Sequence, residues 1–164
     1  MTDPSSSRQE TSPPEGPYKG LRPYEEQDQQ YFFGREAECN ILIDKILTNR
    51  FTLLFAATGV GKSSLLRAGI LPRLKDPTQE HLDVVYFRDW VDRPLAEFKR
   101  TALHVLQEHG RLDAKLPLED VDSLALKDFL QFCTLFTRPP LVVILDQFEE
   151  FFQHQRARNS FQLY

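Results

Sequence analysis

The sequence predicts an α/β fold built on a mostly parallel sheet, and three observations carry that reading. Short apolar runs recur at 51 to 57 ("FTLLFAA"), 83 to 89 ("DVVYFRD") and 141 to 145 ("LVVIL"). Segments with helical spacing lie between them, and strands that alternate with helices imply parallel pairing through crossovers. The first run passes straight into a turn of small residues and then Lys62, while the third ends on Asp146.

Length and charge set the outer limits. The chain has 164 residues and a formal net charge of −4, which suits one domain able to bury roughly 70% of its unfolded surface. Mild acidity gives no general reason to expect nucleic acid or an anionic membrane as partner, since both favour a basic surface. No run approaches the ~20 apolar residues that span a bilayer. The start, "MTDPSSSRQETSPPEGP", lacks the basic and apolar stretches of a signal peptide, so a cytoplasmic location is expected. Cys39 and Cys133 form no disulfide framework or zinc spacing, which fits a reducing compartment. His81, His104, His109 and His154 show no metal-ligand spacing.

The elements follow in order. Residues 1 to 17 carry Ser, Pro, Thr and Glu with no large apolar side chain after Met1, and are expected to form a disordered leader. The stretch "YKGLRPYEEQDQQYFFGRE" interleaves Tyr18, Tyr24, Tyr31, Phe32 and Phe33 with charges, and reads as an irregular segment packed on the domain surface. From Glu36 to about Arg50, Cys39, Ile43, Ile46, Leu47 and Arg50 follow helical spacing. Residues 51 to 57 read as a buried strand. "KSSLLRAGI" reads as a helix that ends near Pro72. A second strand is expected at 83 to 89. Pro94 suits the first turn of a helix with Leu95, Phe98, Ala102, Val105 and Leu106 on one face. Asp122 or Ser123 can cap another helix, which carries Leu126, Phe129, Leu130, Cys133 and Phe136. Pro139 and Pro140 lead into the third strand, 141 to 145, and a last helical stretch begins around Phe148.

A strand, a small-residue turn and a helix are the setting of a phosphate-binding loop. The turn needs residues without bulk so that successive backbone N–H groups can point at phosphate oxygens. The helix N-terminus adds partial positive charge. Lys62 supplies a full charge toward the outer phosphates, and Ser63 offers a hydroxyl to Mg²⁺. The strict pattern is G-x-x-x-x-G-K-[ST]; here "AATGVGKS" puts Ala56 in the place of the first Gly. Such a loop works with a carboxylate at the end of a neighbouring strand. Asp146 emerges at the C-terminal edge of 141 to 145, the edge at which ligands of open α/β sheets bind. Glu149 and Glu150 follow, and either could orient or deprotonate an attacking water.

Together these residues resemble a known family. The phosphate loop, "LVVILDQFEE" and the upstream "FFGRE" look like a STAND-class P-loop NTPase, related to the NACHT and AAA+ groups. The likeness is closest to the bacterial novel STAND NTPases, and covers about Pro17 to Phe152, from "PYKGLRPYEEQDQQYFFGRE" through "GKSSLLRAGILPRL" to "DQFEE". The resemblance implies the P-loop three-layer sandwich, with residues 18 to 164 as the N-terminal part of the domain. It implies that Phe33, Gly34 and Arg35 lie near the adenine of ATP. Thr58, Gly59, Val60, Gly61, Lys62, Ser63 and Ser64 would cradle the phosphates, and Asp146 with Ser63 would serve Mg²⁺. Glu149 and Glu150 match the paired acids of the NACHT pattern D-G-x-D-E; Gln147 stands where Gly is usual, and Glu150 is favoured as the base. In the family's sheet a fourth strand separates the first from the third. The resemblance therefore implies an incomplete sheet here, with downstream lid, sensor and effector domains belonging to the full module.

Three functions fit. The first is an ATP/ADP-dependent switch with slow hydrolysis, whose nucleotide state controls assembly, so that self-association enters as a partner. The second is a non-catalytic nucleotide-binding or interaction module. The third is another P-loop enzyme such as a small-molecule kinase, which lacks a recognisable acceptor site. A GTPase is disfavoured, because no guanine-reading N-K-x-D motif is present.

Overall fold

The computed structural model describes residues 17–20, 22–76, 78, 82–112, 118–137 and 141–154. The expected disordered leader falls, apart from Pro17, outside the described residues. The described elements are a 3-10 turn Glu26–Tyr31, α1 (Glu36–Thr48), α2, β1 (Asp83–Phe87), α3 (Pro94–Glu108), a 3-10 turn Leu118–Ser123, α4 (Leu126–Thr134) and β2 (Leu141–Leu145). Residues 149 to 154 form a final helical turn.

The helix α2 runs continuously through three pieces: α-helical Lys62–Ser64, π-helical Leu65–Ile70 and α-helical Leu71–Leu74. Pro72 has no N–H to give and sits where the helix returns to α register. The π-helical piece is apolar and buried except at Arg67. It also packs tightly: a Cβ on Gly69 would lie 2.6 Å from Cys39 Sγ and 2.9 Å from Phe32 Cε1. Only glycine lets α2 approach α1 and the aromatic segment this closely.

Among the described residues the sheet has two parallel strands, with Asp83 opposite Leu141 and Phe87 opposite Leu145. The ladder continues one step further, as Asp146 N donates to Phe87 O at 2.9 Å. Successive side chains point to opposite faces. Val84, Tyr86, Val142 and Ile144 join one cluster with Cys39, Leu42 and the apolar face of α2. Val85, Phe87, Leu141 and Val143 join a second with Trp90, Phe98, Leu106, Phe129 and Cys133 from α3, α4 and their approaches. The chain is thus mixed α/β, with helices on both faces of a short open parallel sheet, and the described residues do not make a full P-loop sandwich. Cys39 and Cys133 are free and lie in different clusters.

Several expectations need correction. Residues 51 to 57 form no strand. Phe51, Leu53 and Phe55 are each at least three-quarters exposed, and of this run Leu54 packs on the first cluster. A strand needs a ladder partner, and among the described residues none pairs with this run. Leaving three such side chains in water forgoes roughly 1.5–3 kcal/mol each relative to burial. On α1, Leu47 is exposed and Leu42 is buried in its stead, and Leu95 of α3 is half-exposed. The cap of α4 is Ala125, with no side-chain bond. Asp122 is otherwise engaged: its carboxylate takes Arg93 and Arg100 at 3.0 and 2.9 Å.

Two buried charges hold the second layer. Lys99 Nζ donates to the carbonyls of Val121, Asp122 and Leu124 at 3.0, 3.2 and 2.6 Å. Three acceptors satisfy the ammonium ion, so its burial is tolerated. Asp83, fully buried, meets His109 Nδ1 at 2.6 Å on one oxygen and Arg111 Nε at 3.3 Å on the other.

Candidate nucleotide-binding site

The loop between residue 56 and α2 has the backbone that its composition demands. Thr58 and Gly59 make a turn, and Gly59 and Gly61 take φ of 85° and 82°. Those left-handed values favour glycine, so both glycines are required by conformation. Residues 56 to 60 are open to solvent. Lys62 bends back over this loop, and its ammonium group donates to Ala56 O at 2.9 Å and Ala57 O at 3.0 Å. The cation is thereby held on the loop. These exposed carbonyl bonds are exchangeable for a better acceptor such as phosphate, because charge-assisted bonds to an anion are the stronger kind.

The aromatic segment docks onto this loop and helix. Arg35 Nη1 donates to Val60 O at 3.0 Å and Gly61 O at 3.3 Å, and the same guanidinium pairs with Glu38. A Cβ on Gly61 would stand 3.1 Å from Arg35 Nη1. Arg35 therefore braces the outside of the loop. Tyr24 N donates to Ser64 Oγ at 3.1 Å, Glu25 pairs with Arg67, and Glu26 meets Lys75 at 2.9 Å. Ser63 is half-buried in the first turn of α2. Phe33 is largely exposed beside Gly34, whose φ is 81°.

Asp146 is 4% exposed at the end of β2. Its Oδ2 accepts from Tyr86 Oη at 2.7 Å and its Oδ1 from Gln147 N at 3.0 Å, while its backbone O accepts from Trp90 Nε1 at 2.8 Å. Burial first, and then the Asp146 carboxylate, push the Tyr86 phenol far above its ordinary value, so it remains a donor at any physiological pH. Arg67 Cζ lies 5.8 Å from the centroid of the Tyr86 ring, on the side facing α2. Gln147 follows in the left-handed region, φ 54°, at the position where the resemblance expects glycine. Phe148 and Phe151 stack at 5.7 Å, and Trp90 touches both rings, which fixes the turn after the strand. Glu149 is exposed and Glu150 half-buried on this turn.

The structure thus puts Arg35 on Gly61, Lys62 on Ala56 and Ala57, and Tyr24 on Ser64, while Asp146 bonds Tyr86, over which Arg67 lies. No described contact brings Glu149 or Glu150 to the loop. Sequence reading missed Glu25, Arg67, Tyr86 and Trp90. A signal existed for two of them: Arg67 interrupts "LLRAGI" and Tyr86 interrupts "DVVYF", at positions that otherwise face the core.

Among the described residues no cluster of three or more His, Cys, Asp or Glu side chains forms. Asp146, its two oxygens each holding one donor, keeps acceptor capacity for a hydrated cation. A single carboxylate with spare acceptor capacity fits Mg²⁺, which protein sites usually bind through one or two carboxylates together with substrate phosphates.

The model of the family described as Novel STAND NTPase 1 matches residues 17–163. The chain belongs to that family. Searches of curated proteins and of solved structures found no match. The matched span of this STAND NTPase includes the aromatic segment from Pro17, the same segment that Arg35, Tyr24 and Glu25 fasten to the loop and to α2. No helix of the STAND NTPase among the described residues is long and apolar enough to cross a membrane.

Proposed function

We propose that this STAND NTPase module binds ATP with Mg²⁺ on the loop from Thr58 to Ser64, and that slow hydrolysis of the bound nucleotide acts as a switch. One observation carries the reading: the loop presents two left-handed glycines and a lysine held across its face by carbonyls that phosphate can replace. Lys62 moves from Ala56 and Ala57 onto the outer phosphates. Backbone N–H groups from Thr58 to Ser64 and the start of α2 supply the remaining donors. Arg35 keeps the loop shaped from outside, on the side where the resemblance puts the adenine. The hydroxyl of Ser63 and the carboxylate of Asp146 hold the Mg²⁺ shell. Bound Mg²⁺ neutralises charge developing on the phosphoryl oxygens. Glu150 accepts the proton of the attacking water, and its half-burial beside the aromatic turn favours it over exposed Glu149. The nucleotide state is read by sensor and effector domains or by further copies of the module.

Titration calorimetry with Mg·ATP tests this. Lys62→Ala removes the one full positive charge within the loop, and loss of a well-placed charged contact costs about 1.5–3 kcal/mol, on the order of 10–100-fold in affinity. Equal affinity in the variant excludes the loop as phosphate site. A second reading, a non-catalytic nucleotide-binding or interaction module, draws on the exposed Phe51, Leu53 and Phe55 just before the loop. It predicts binding without turnover, which a phosphate-release assay separates from the first.

A further inference from the structure

We propose that Arg67 and Tyr86 form a relay through which the position of the segment around Glu25 sets the metal affinity of Asp146. The inference rests on the nucleotide reading above, and adds a means of regulating that site. Four contacts make the chain. Tyr24 N holds Ser64 Oγ at 3.1 Å, and the next residue, Glu25, pairs with Arg67. The Arg67 guanidinium sits over the Tyr86 ring at 5.8 Å, and Tyr86 Oη donates to Asp146 Oδ2 at 2.7 Å. The path joins three separate stretches of sequence: the segment before α1, the middle of α2, and the paired strands.

The chemistry at Arg67 makes the path responsive. Its side chain is 18% exposed, so its charge needs a partner. Among the described residues its Nη1 is buried with no hydrogen-bond acceptor, which leaves Glu25 as its ion-pair partner. Burial weakens the hold of this guanidinium on its proton and Arg88 repels it, while Tyr86 and the Asp146 carboxylate attract it. When the segment lifts and takes Glu25 away, Arg67 turns to Asp146. A guanidinium on that carboxylate neutralises it and competes with a cation. With Glu25 in place, Arg67 stays on Tyr86, and Tyr86 keeps Asp146 aimed. Tyr86 and Arg67 are positioning residues: the reacting atoms need touch neither. Outer partners of a metal-binding carboxylate typically govern 10–100-fold in metal affinity.

The experiment measures the gain in ATP affinity on going from EDTA to excess Mg²⁺, by calorimetry. Glu25→Gln leaves affinity in EDTA near that of the parent protein and reduces the Mg²⁺-dependent gain about tenfold. Tyr86→Phe reduces it by 10–100-fold. The relay is isolated in an Arg67→Met background, where Glu25→Gln changes nothing further because the guanidinium that Glu25 holds is gone. Thermal melts of each variant check that the fold is intact. The proposal is overturned if Glu25→Gln leaves the gain untouched, or lowers it equally with Met at position 67. A parent protein that binds no ATP with or without Mg²⁺ refutes the nucleotide reading instead. Hydrogen exchange of the ligand-free protein then decides the relay: faster exchange of residues 24 to 31 in Tyr86→Phe supports it, and unchanged exchange refutes it.

Discussion

Substituting Gly69 tests the packing that presses the docked segment against α2. The new methyl of Gly69→Ala would stand 2.6 Å from Cys39 Sγ and 2.9 Å from Phe32 Cε1. Ordinary contact begins near 3.4 Å, so the neighbours must yield by about 0.8 and 0.5 Å. Cys39 is 1% exposed and packed between α1 and α2, so it has little room to move. Overpacking of this kind costs about 1–3 kcal/mol. Alanine returns up to about 1 kcal/mol through helix propensity. The net expectation is a loss of about 1–2 kcal/mol, a fall in Tm of roughly 3–6 °C for a chain of this size. Circular dichroism melts and urea titration read it directly. The double variant Cys39→Ala/Gly69→Ala removes the worst clash, so its loss should fall short of the sum of the singles by about 1 kcal/mol. A Gly69→Ala protein that melts at or above the parent refutes the close approach.

Other positions give separate outcomes. Gln147 sits at φ 54°, so Gln147→Gly should leave stability unchanged or raise it by up to about 1 kcal/mol, while Gln147→Val costs about 1–2 kcal/mol in urea titration. Burial pushes the Cys133 thiol from 9.0 up to about 11. The folded state then keeps a proton that the unfolded state has lost, so stability is full below pH 9 and declines as pH rises toward about 11. The urea midpoint should fall over that window more steeply for the parent than for Cys133→Ala, and parallel slopes would contradict the burial. Glu150→Gln should retain Mg·ATP in calorimetry yet release no phosphate; if Glu149→Gln stops release and Glu150→Gln does not, the two acids exchange roles.

Much of this was legible in the sequence where local pattern and tertiary environment agree. β2 spans 141–145 as expected, because an unbroken apolar run that faces helices on both sides has no competing use. Pro94 opened α3 as its fixed φ suggests. The run "FTLLFAA" looked the same on paper as "LVVIL", yet only the second has a ladder partner among the described residues. Composition reports what a strand buries; it does not report whether a neighbour exists to pair with it. The loop was legible because glycine and lysine have few alternative explanations at that spacing. Its wiring was not. Arg67, Tyr86 and Glu25 are 19 to 61 residues apart in sequence, and no periodicity links a helix, a strand and an irregular segment. Asp122 shows the opposite error: its local capping propensity lost to two arginines supplied by α3 and its N-cap.

The two strands raise a question of register that their apolar pattern cannot answer. Strands that alternate polar and apolar resist slippage, because a shift by one turns the wrong face inward. Here "VVYF" and "LVVI" are buried or half-buried on both sides, so a shift by one would exchange one apolar side chain for another. The discrimination falls to the ends. Asp83 is fixed at the start of β1 by His109 and Arg111, and Asp146 just past β2 by Tyr86 and Trp90. Sliding β2 by one residue moves Asp146 about 3.3 Å, enough to break both of its bonds and strand a carboxylate among rings. The aspartate read as a metal ligand is therefore also an end-stop that tells four apolar pairs where to align.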